Sequence, residues 1–224
     1  MDGRSRIQIK IVDIKYIKKP KLTVAYVDNF LNDSDYKKVK DEVKWAYAFK
    51  KSKYKILDRP TFRSAATVFD KNINKWVSLS TASFISLDNL YVDRQQSFIL
   101  SNLTRKFYDP DFLNKLEEEN TYFKYIAISN TDATNINYYE GQQEYKLHQD
   151  ISLFTFLFYV NIGDVEPGAL YIKDMNKKIP CINNRLIIIP GCAHHAALPS
   201  KIKSENSYRC CISNFCNINL LDKD

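Results

Sequence analysis

Residues 148–161 read HQDISLFTFLFYVN, a His-x-Asp triplet followed by an almost unbroken apolar run. The run from Leu153 to Val160 is eight residues long and rich in aromatic side chains, which is typical of a buried β-strand. On an extended backbone, residues i and i+2 point to the same face, so we expect the side chains of His148 and Asp150 to converge at the mouth of a barrel. An imidazole and a carboxylate placed in this way can bind a divalent metal ion.

The chain contains three histidines, and all of them lie in its second half: His148, His194 and His195. The last two follow another apolar run, 185–189, and the dipeptide Pro190-Gly191, so a second imidazole can reach the same point from a neighbouring strand. Two imidazoles and one carboxylate on a triangle suit Fe(II), because three coordination positions stay open. Zinc competes for the same ligands, usually in a tetrahedral arrangement.

Away from this triplet, the sequence predicts helices first and many short strands later. Before residue 120, alternation and helical spacing predict strands at 7–12, 22–27, 61–69 and 75–79, a helix over about 34–48, and a helical region from 87 to 107 that resumes after Pro110 to Glu119. After residue 120, short β-branched or aromatic runs predict strands at 123–129, 135–139, 153–161, 169–172, 185–189 and 208–217. This order favours one domain, an antiparallel β-sandwich or barrel with N-terminal helices against one sheet.

Composition excludes several classes of protein. The 224 residues are 45 % hydrophobic, which is too apolar for wholesale disorder. No apolar stretch approaches the roughly 20 residues of a membrane span, and residues 1–12 lack the apolar core of a signal peptide, so we expect a cytoplasmic protein. The five cysteines are an odd number, which argues against a disulfide framework. The net charge of +7 is concentrated in the first 60 residues, where the lysines form either a solvated face or a surface for an acidic partner.

Further segments surround the triplet in a fixed order. They are Val27–Leu31, Asn137–Gly141, Tyr159–Asn161, Pro167–Leu170, Asn184–Pro190, His195–Pro199 and Arg209. In this order the chain resembles the Fe(II)- and 2-oxoglutarate-dependent dioxygenases, in particular their prolyl-4-hydroxylase-like branch. The resemblance covers about residues 121–217 and is strongest from Asn135 to Arg209.

The resemblance implies a mainly β fold with supporting α-helices around a double-stranded β-helix, or jelly roll. In a single domain 1–224, residues 1–120 would supply N-terminal strands and supporting helices, and 121–217 the jelly-roll catalytic core. It also implies His148, Asp150 and His195 as the metal ligands. His195 is favoured over His194 because His195–Pro199 fits the His-x-x-x-Pro of the family, so His194 is expected to lie behind the ligands or to point outward.

The resemblance further implies a cosubstrate pocket. Arg209 looks like the residue that anchors the distal carboxylate of 2-oxoglutarate, since a guanidinium offers two parallel N–H donors. Tyr159 is expected to donate its hydroxyl to the same carboxylate, and Tyr139 to line the pocket near the metal-bound end, although either tyrosine is also explained as an aromatic core residue. Cys211 stands where many relatives have Ser, and Phe215 stands where the nucleic-acid demethylase branch has a second arginine.

The activity implied is hydroxylation of a C–H bond, with formation of succinate and CO₂. The cofactors would be Fe(II) and 2-oxoglutarate, with ascorbate as a further candidate. A prolyl residue of a protein or peptide and a small molecule both remain open as substrates, while Phe215 argues against nucleic acid. Three alternatives stay open: a divalent-metal hydrolase that uses the same His/Asp cluster, a catalytically silent jelly-roll protein that binds an anion, and a structural zinc module built from Cys181, Cys192 and His194.

Overall fold

The computed structural model describes residues 13–51, 61–63 and 67–219. In chain order the strands are β1 (Ile14–Lys19), β2 (Leu22–Val27), β3 (Thr61–Arg63), β4 (Thr67–Asp70), β5 (Lys75–Ser78), β6 (Ser83–Ser86), β7 (Thr131–Tyr139), β8 (Tyr145–His148), β9 (Phe154–Ile162), β10 (Val165–Glu166), β11 (Ala169–Ile172), β12 (Lys177–Pro180), β13 (Leu186–Pro190), β14 (His195–Ala197), β15 (Lys201–Ile202) and β16 (Tyr208–Asn217). The α-helices are α1 (Asp33–Lys51), α2 (Thr104–Phe107), α3 (Pro110–Glu119) and α4 (Lys124–Ala127). Shorter helical segments are the 3₁₀ stretches Asp88–Gln96, Thr121–Phe123 and Lys173–Met175 and the π-helical turn Ile99–Leu103.

Two antiparallel sheets form the body of the protein. The larger sheet has the order β1-β2-β13-β9-β16-β7-β6-β3, and the smaller sheet has the order β12-β11-β14-β8. From β7 onward the chain crosses repeatedly between the two sheets, as in a jelly roll: β7, β9, β13 and β16 lie in the larger sheet, and β8, β11, β12 and β14 in the smaller. The mainly β jelly-roll fold predicted from the sequence is therefore confirmed.

The burial of strand β9 explains why its sequence is an apolar run rather than an alternation of apolar and polar residues. All nine of its residues are buried. One face of β9, with Phe156 and Phe158, packs into the core beneath the helices, and the other face, with Leu157 and Tyr159, packs into the core between the sheets. A strand covered on both faces is mostly apolar along its length instead of alternating between apolar and polar side chains.

The helices cover the outer face of the larger sheet. The Phe107 ring of α2 stacks on Phe156 of β9 with the ring centroids 4.9 Å apart. Helix α3 begins after Asp109, whose carboxylate accepts hydrogen bonds from the backbone N–H groups of the first turn. With the outer face covered, the inner face of the larger sheet and the smaller sheet are left to form a site between them.

The segment 123–129, predicted as a strand, is helical, so that prediction is wrong. The Asn120 side chain accepts a hydrogen bond from the Tyr122 backbone N–H and starts a helical turn. Phe123 and Ile126, three residues apart, are then buried on one helical face. The predicted strand at 7–12 lies outside the described residues, and β1 was not foreseen.

The N-terminal segment contributes to the larger sheet, because β1, β2, β3 and β6 extend it on both sides. The division into supporting elements over 1–120 and a catalytic core over 121–217 stays a prediction. Among the described residues, no helix combines the length and the apolar composition that crossing a membrane requires.

Candidate functional site

Three side chains meet in the space between the two sheets. His148 and His195 are paired across the antiparallel strands β8 and β14, and their ring centroids are 4.3 Å apart. Asp150 Oδ1 lies 3.5 Å from His148 Nε2, and Asp150 Oδ2 lies 3.6 Å from His195 Nε2. Each residue thus offers one ligand atom within 4.8 Å of the others, the spacing of a metal triangle.

Backbone carbonyl groups orient the two imidazoles. The Nδ1 atom of His148 is 2.6 Å from the Lys146 carbonyl oxygen, and Nδ1 of His195 is 3.0 Å from the Ala193 carbonyl oxygen. A carbonyl only accepts, so each Nδ1 carries the proton and donates it. Both Nε2 atoms are therefore left with a free lone pair toward the centre of the triangle, as a metal ligand requires.

The backbone after β8, rather than a continuous strand, brings Asp150 into place. His148 is the last residue of β8 and Asp150 follows in a loop, where its backbone N–H donates to the Gly191 carbonyl at 3.0 Å. At Gly191 a Cβ atom would lie 1.9 Å from the Ser152 carbonyl oxygen, so only glycine permits this approach. Thr155 Oγ1 donates to Asp150 Oδ2 at 2.6 Å and fixes the carboxylate.

Charge and burial keep Asp150 and His195 in the protonation states that bind a metal. Burial disfavours the ionised Asp150 carboxyl, but its interactions with His148, His195 and Thr155 outweigh burial and hold its pKa below the usual range. Burial lowers the pKa of His195, and the Asp150 carboxylate offsets this only in part. At neutral pH the site thus contains a carboxylate and a neutral His195.

We expect the free energy of unfolding of the metal-free protein to fall as the pH drops from about 7 to 5. In the unfolded chain His195 binds a proton as the pH falls below the ordinary His pKa of 6.5. In the folded protein its pKa is lower, so it binds that proton only at a lower pH. Stability is therefore lost with a slope of at most about 1.4 kcal/mol per pH unit. Urea unfolding in the presence of a chelator measures this slope, and His195→Gln should flatten it. An equal slope in that variant would contradict the assignment.

His194 points away from the triangle. Its backbone N–H donates to Asp174 Oδ2 at 2.8 Å, and its ring Nδ1 lies 3.2 Å from the same carboxylate. The side chain is 44 % exposed, against 5 % for His195. This geometry agrees with the preference for His195, while the ligand assignment itself stays a prediction. Within the described ranges, the triangle is the group of His, Cys, Asp and Glu close enough to hold a metal, so the zinc module with Cys181 and Cys192 is not assembled there.

Arg209 lies deeper, on the inner face of β16, and is fully buried. Its guanidinium carbon sits 4.1 Å from the centre of the Tyr139 ring, and Nη1 donates to the Leu198 carbonyl oxygen at 2.7 Å. Nε and Nη2, the other edge of the fork, are buried without a hydrogen-bond partner in the described structure. A buried cation with two unused parallel donors is costly, which indicates a site for an anion.

A cavity of about 550 Å³ contains the triangle. Its lining residues alternate along the strands, since side chains two apart share a face, and they include Asn135, Asn137 and Tyr139 on β7, Leu157 and Tyr159 on β9, and Cys211, Ser213, Phe215 and Asn217 on β16. Arg209 belongs to the same face of β16 as Cys211. The sequence-predicted residues Tyr139 and Tyr159 are therefore both at the cavity, and burial raises the pKa of each hydroxyl.

The sequence interpretation missed Tyr145. Its ring stacks on the His148 imidazole, with the centroids 4.0 Å apart and the planes at 16°. Tyr145 begins β8 three residues before His148. The aromatic residue next to the His-x-Asp triplet was visible in the sequence, but the stacking depends on the local strand geometry.

Comparisons with known proteins were made by sequence and by structure. No protein-family model matches the sequence, and neither does any curated protein. A prolyl-4-hydroxylase from Pseudomonas putida is similar in structure, with a TM-score of 0.55 and 11 % identity over 88 % of this chain and 92 % of that chain. The viral collagen prolyl hydroxylase from Paramecium bursaria Chlorella virus-1, in its 2-oxoglutarate complex, is similar with a TM-score of 0.50 and 14 % identity, over 86 % of this chain and 94 % of that chain. NgTET1 in complex with 5mC DNA is similar with a TM-score of 0.52 and 13 % identity, over 88 % of this chain and 72 % of that chain. At these identities the likeness shows the fold.

Proposed function

We propose that the protein is an Fe(II)- and 2-oxoglutarate-dependent oxygenase that hydroxylates a C–H bond and forms succinate and CO₂. The observation that carries this proposal is the pairing of two features in one jelly roll. His148, Asp150 and His195 each place one potential ligand atom within 4.8 Å of the others, so together they could hold a metal ion. Arg209, buried on the inner face of the larger sheet, has two N–H donors, at Nε and Nη2, without a described hydrogen-bond partner.

The triangle fits ferrous iron. Two neutral imidazoles and one carboxylate on one side of a metal leave three positions open, the pattern of non-haem Fe(II) oxygenases. When bound, iron with 2-oxoglutarate supplies the oxidation of the C–H bond. The chain itself orients the ligands: the Lys146 and Ala193 carbonyls fix the imidazoles, and Thr155 fixes the carboxylate.

The buried guanidinium fits the distal carboxylate of 2-oxoglutarate. Its free edge, Nε and Nη2, presents two N–H groups in the geometry that a carboxylate accepts. The charge of a bound carboxylate would offset the cost of burying Arg209. The Tyr159 hydroxyl, buried in the same region, supplies a third donor. Tyr139 covers one face of the guanidinium.

The part of the cavity beyond the triangle fits an uncharged group. Apart from the triangle, its described lining has no ionised side chain, and Phe84 and Phe215 contribute apolar surface. A prolyl ring is apolar and of a size that such a cavity accepts. Two similar structures, from P. putida and the Chlorella virus, are named as prolyl hydroxylases. These observations support a prolyl residue of a protein or peptide as the substrate.

A hydrolase that uses the same metal cluster is less well supported. Hydrolysis at a metal site needs a general base to take a proton from the attacking water. The described cavity lining contains no imidazole or carboxylate beyond the three triangle residues themselves. The buried Arg209 edge would also have no role in hydrolysis.

Anaerobic addition of Fe(II) and 2-oxoglutarate should produce a weak visible charge-transfer band, and admission of O₂ should convert 2-oxoglutarate into succinate. The reaction should depend on both Fe(II) and 2-oxoglutarate, and zinc should not replace iron. Mass spectrometry of a proline-rich peptide incubated with the complete system should show a product heavier by one oxygen atom. A wild-type protein that gives neither band nor succinate would overturn the oxygenase proposal, whereas succinate without a peptide product would overturn only the prolyl assignment.

A further inference from the structure

We propose that strand β14, the Leu198 carbonyl at its end and the backbone at Gly168 together fix the length of the keto diacid that the site binds. The inference rests on the proposed function, which identifies that diacid as 2-oxoglutarate. It assigns Gly168 and Leu198 as positioning residues, which act on the ligand through Arg209.

Strand β14 connects the metal triangle to Arg209. It begins at His195, and three residues later the Leu198 carbonyl oxygen accepts a hydrogen bond from Arg209 Nη1 at 2.7 Å. At the rise of an extended chain, these two residues are about 10 Å apart. The ladder with β11 starts where His195 pairs with Ile172, and it continues to the Leu198 N–H, which donates to the Ala169 carbonyl at 2.8 Å. Since β14 also pairs with β8 on its other side, the separation between the two ends is fixed.

The contacts of Nη1 determine which edge of Arg209 is left for a ligand. Nη1 donates to the Leu198 carbonyl and lies 3.9 Å from Cys181 Sγ, within the range of a hydrogen bond to sulfur. A guanidinium only donates, so these two contacts use both hydrogens of Nη1. The edge formed by Nε and Nη2 remains, buried and without a described partner. The place of this edge therefore follows the place of the Leu198 carbonyl.

Gly168 forms the wall behind Nη1. Its backbone N–H donates to Ser200 Oγ at 3.0 Å, and its carbonyl accepts from the Cys181 N–H at 2.9 Å. A Cβ atom at this position would lie 2.7 Å from Arg209 Nη1 and 2.5 Å from the Leu198 carbonyl oxygen. Both distances are far below an ordinary van der Waals contact. A methyl group here must displace either the guanidinium or the carbonyl that holds it, and either shift moves the free edge relative to the triangle.

A fixed span selects ligands by length. A keto diacid that is bound at the metal by one end and by Arg209 at the other must match the distance between the two. A diacid of another length satisfies only one end without strain. A keto acid that lacks the second carboxylate does not contact Arg209, so its affinity is independent of the span.

The test titrates the charge-transfer band of the Fe(II)-loaded protein under nitrogen with three ligands that share the metal-binding keto-acid end. They are 2-oxoglutarate, the one-carbon-longer 2-oxoadipate, and 2-oxobutyrate, which lacks the distal carboxylate. The wild type should bind 2-oxoglutarate most tightly. Gly168→Ala should weaken 2-oxoglutarate binding by about tenfold or more, as expected for a methyl group forced into a packed site. It should also reduce the preference over 2-oxoadipate and leave 2-oxobutyrate binding unchanged.

Ser200→Ala keeps the test decisive if Gly168→Ala does not fold. This variant removes the acceptor of the Gly168 N–H without adding volume, and it should weaken 2-oxoglutarate binding by about threefold relative to 2-oxobutyrate. In an Arg209→Met background, neither substitution should change the ratio of the affinities for 2-oxoglutarate and 2-oxobutyrate, because the group through which they act is absent.

Gly141→Ala is the matched control. Gly141 has a φ of 59°, so alanine strains the backbone there, but a Cβ atom would meet nothing within 4 Å. This variant should leave the ratio of the two affinities unchanged. If the wild type prefers 2-oxoglutarate to 2-oxobutyrate and the Gly168 and Ser200 variants keep that preference in full, the inference fails and the proposed function stands. If the wild type binds none of the three ligands, the proposed function fails.

Discussion

His195→Ala should lower the affinity for Fe(II) by more than about 100-fold, since loss of a residue that merely supports a ligand already costs about 10- to 100-fold. His194→Ala should change the affinity by no more than about twofold, as expected of an exposed side chain. The two residues are adjacent, so this pair of variants isolates the direction of the side chain. The Nε2 atom of His195 lies 3.6 Å from Asp150 Oδ2, whereas the ring of His194 lies beside the exposed Asp174.

Titration with Fe(II) under nitrogen measures both affinities, and thermal unfolding of the metal-free variants controls for misfolding. His148→Ala should match His195→Ala, because both imidazoles present Nε2 to the same point. An iron affinity that falls in His194→Ala and survives in His195→Ala would reverse the ligand assignment. If both variants kept the iron affinity of the wild type, the proposal of a metal site at this triangle would be wrong.

The sequence was informative about the fold where one side-chain pattern had one structural solution. The apolar run of β9 indicated a strand, and its burial on both faces is the reason that polar residues do not occupy every second position. A strand was wrongly predicted at 123–129 because the spacing of Phe123 and Ile126 is compatible with either a strand or a helical turn. The Asn120 cap selects the turn, and its effect depends on a single side-chain hydrogen bond.

The candidate site was predictable for a different reason. With three histidines in the chain, few combinations were possible, and the structure brings together the predicted three residues. What fixes Asp150, in contrast, is a backbone contact with Gly191, 41 positions away. The position of Cys211 opposite Tyr159 likewise depends on the register of β16 against β9. A local sequence pattern does not determine how distant strands are aligned, so these two pairings could be seen only in the structure.

Arg209→Met should abolish most 2-oxoglutarate binding and at the same time stabilise the metal-free protein. Removing one partner of a buried, hydrogen-bonded charge pair costs about 2 kcal/mol or more, which is about 30-fold in affinity. Arg209→Lys should recover little of this, because an ammonium lacks the fork of two parallel donors. Titration of the charge-transfer band with 2-oxoglutarate gives the loss, and 2-oxobutyrate serves as the ligand that should bind as before.

The gain in stability follows from the same geometry. Without ligand, the Arg209 guanidinium is fully buried, two of its nitrogens have no described partner, and it forms no ion pair with a described carboxylate. Burial of an unpaired ion costs several kcal/mol, which exceeds the roughly 1–3 kcal/mol lost when the Leu198 carbonyl is left without its donor. Methionine fills similar space without charge, so urea unfolding should show a rise of about 1 kcal/mol or more. A variant that unfolds more easily than the wild type would mean that Arg209 is held for structure, and that its free edge is not kept for a ligand.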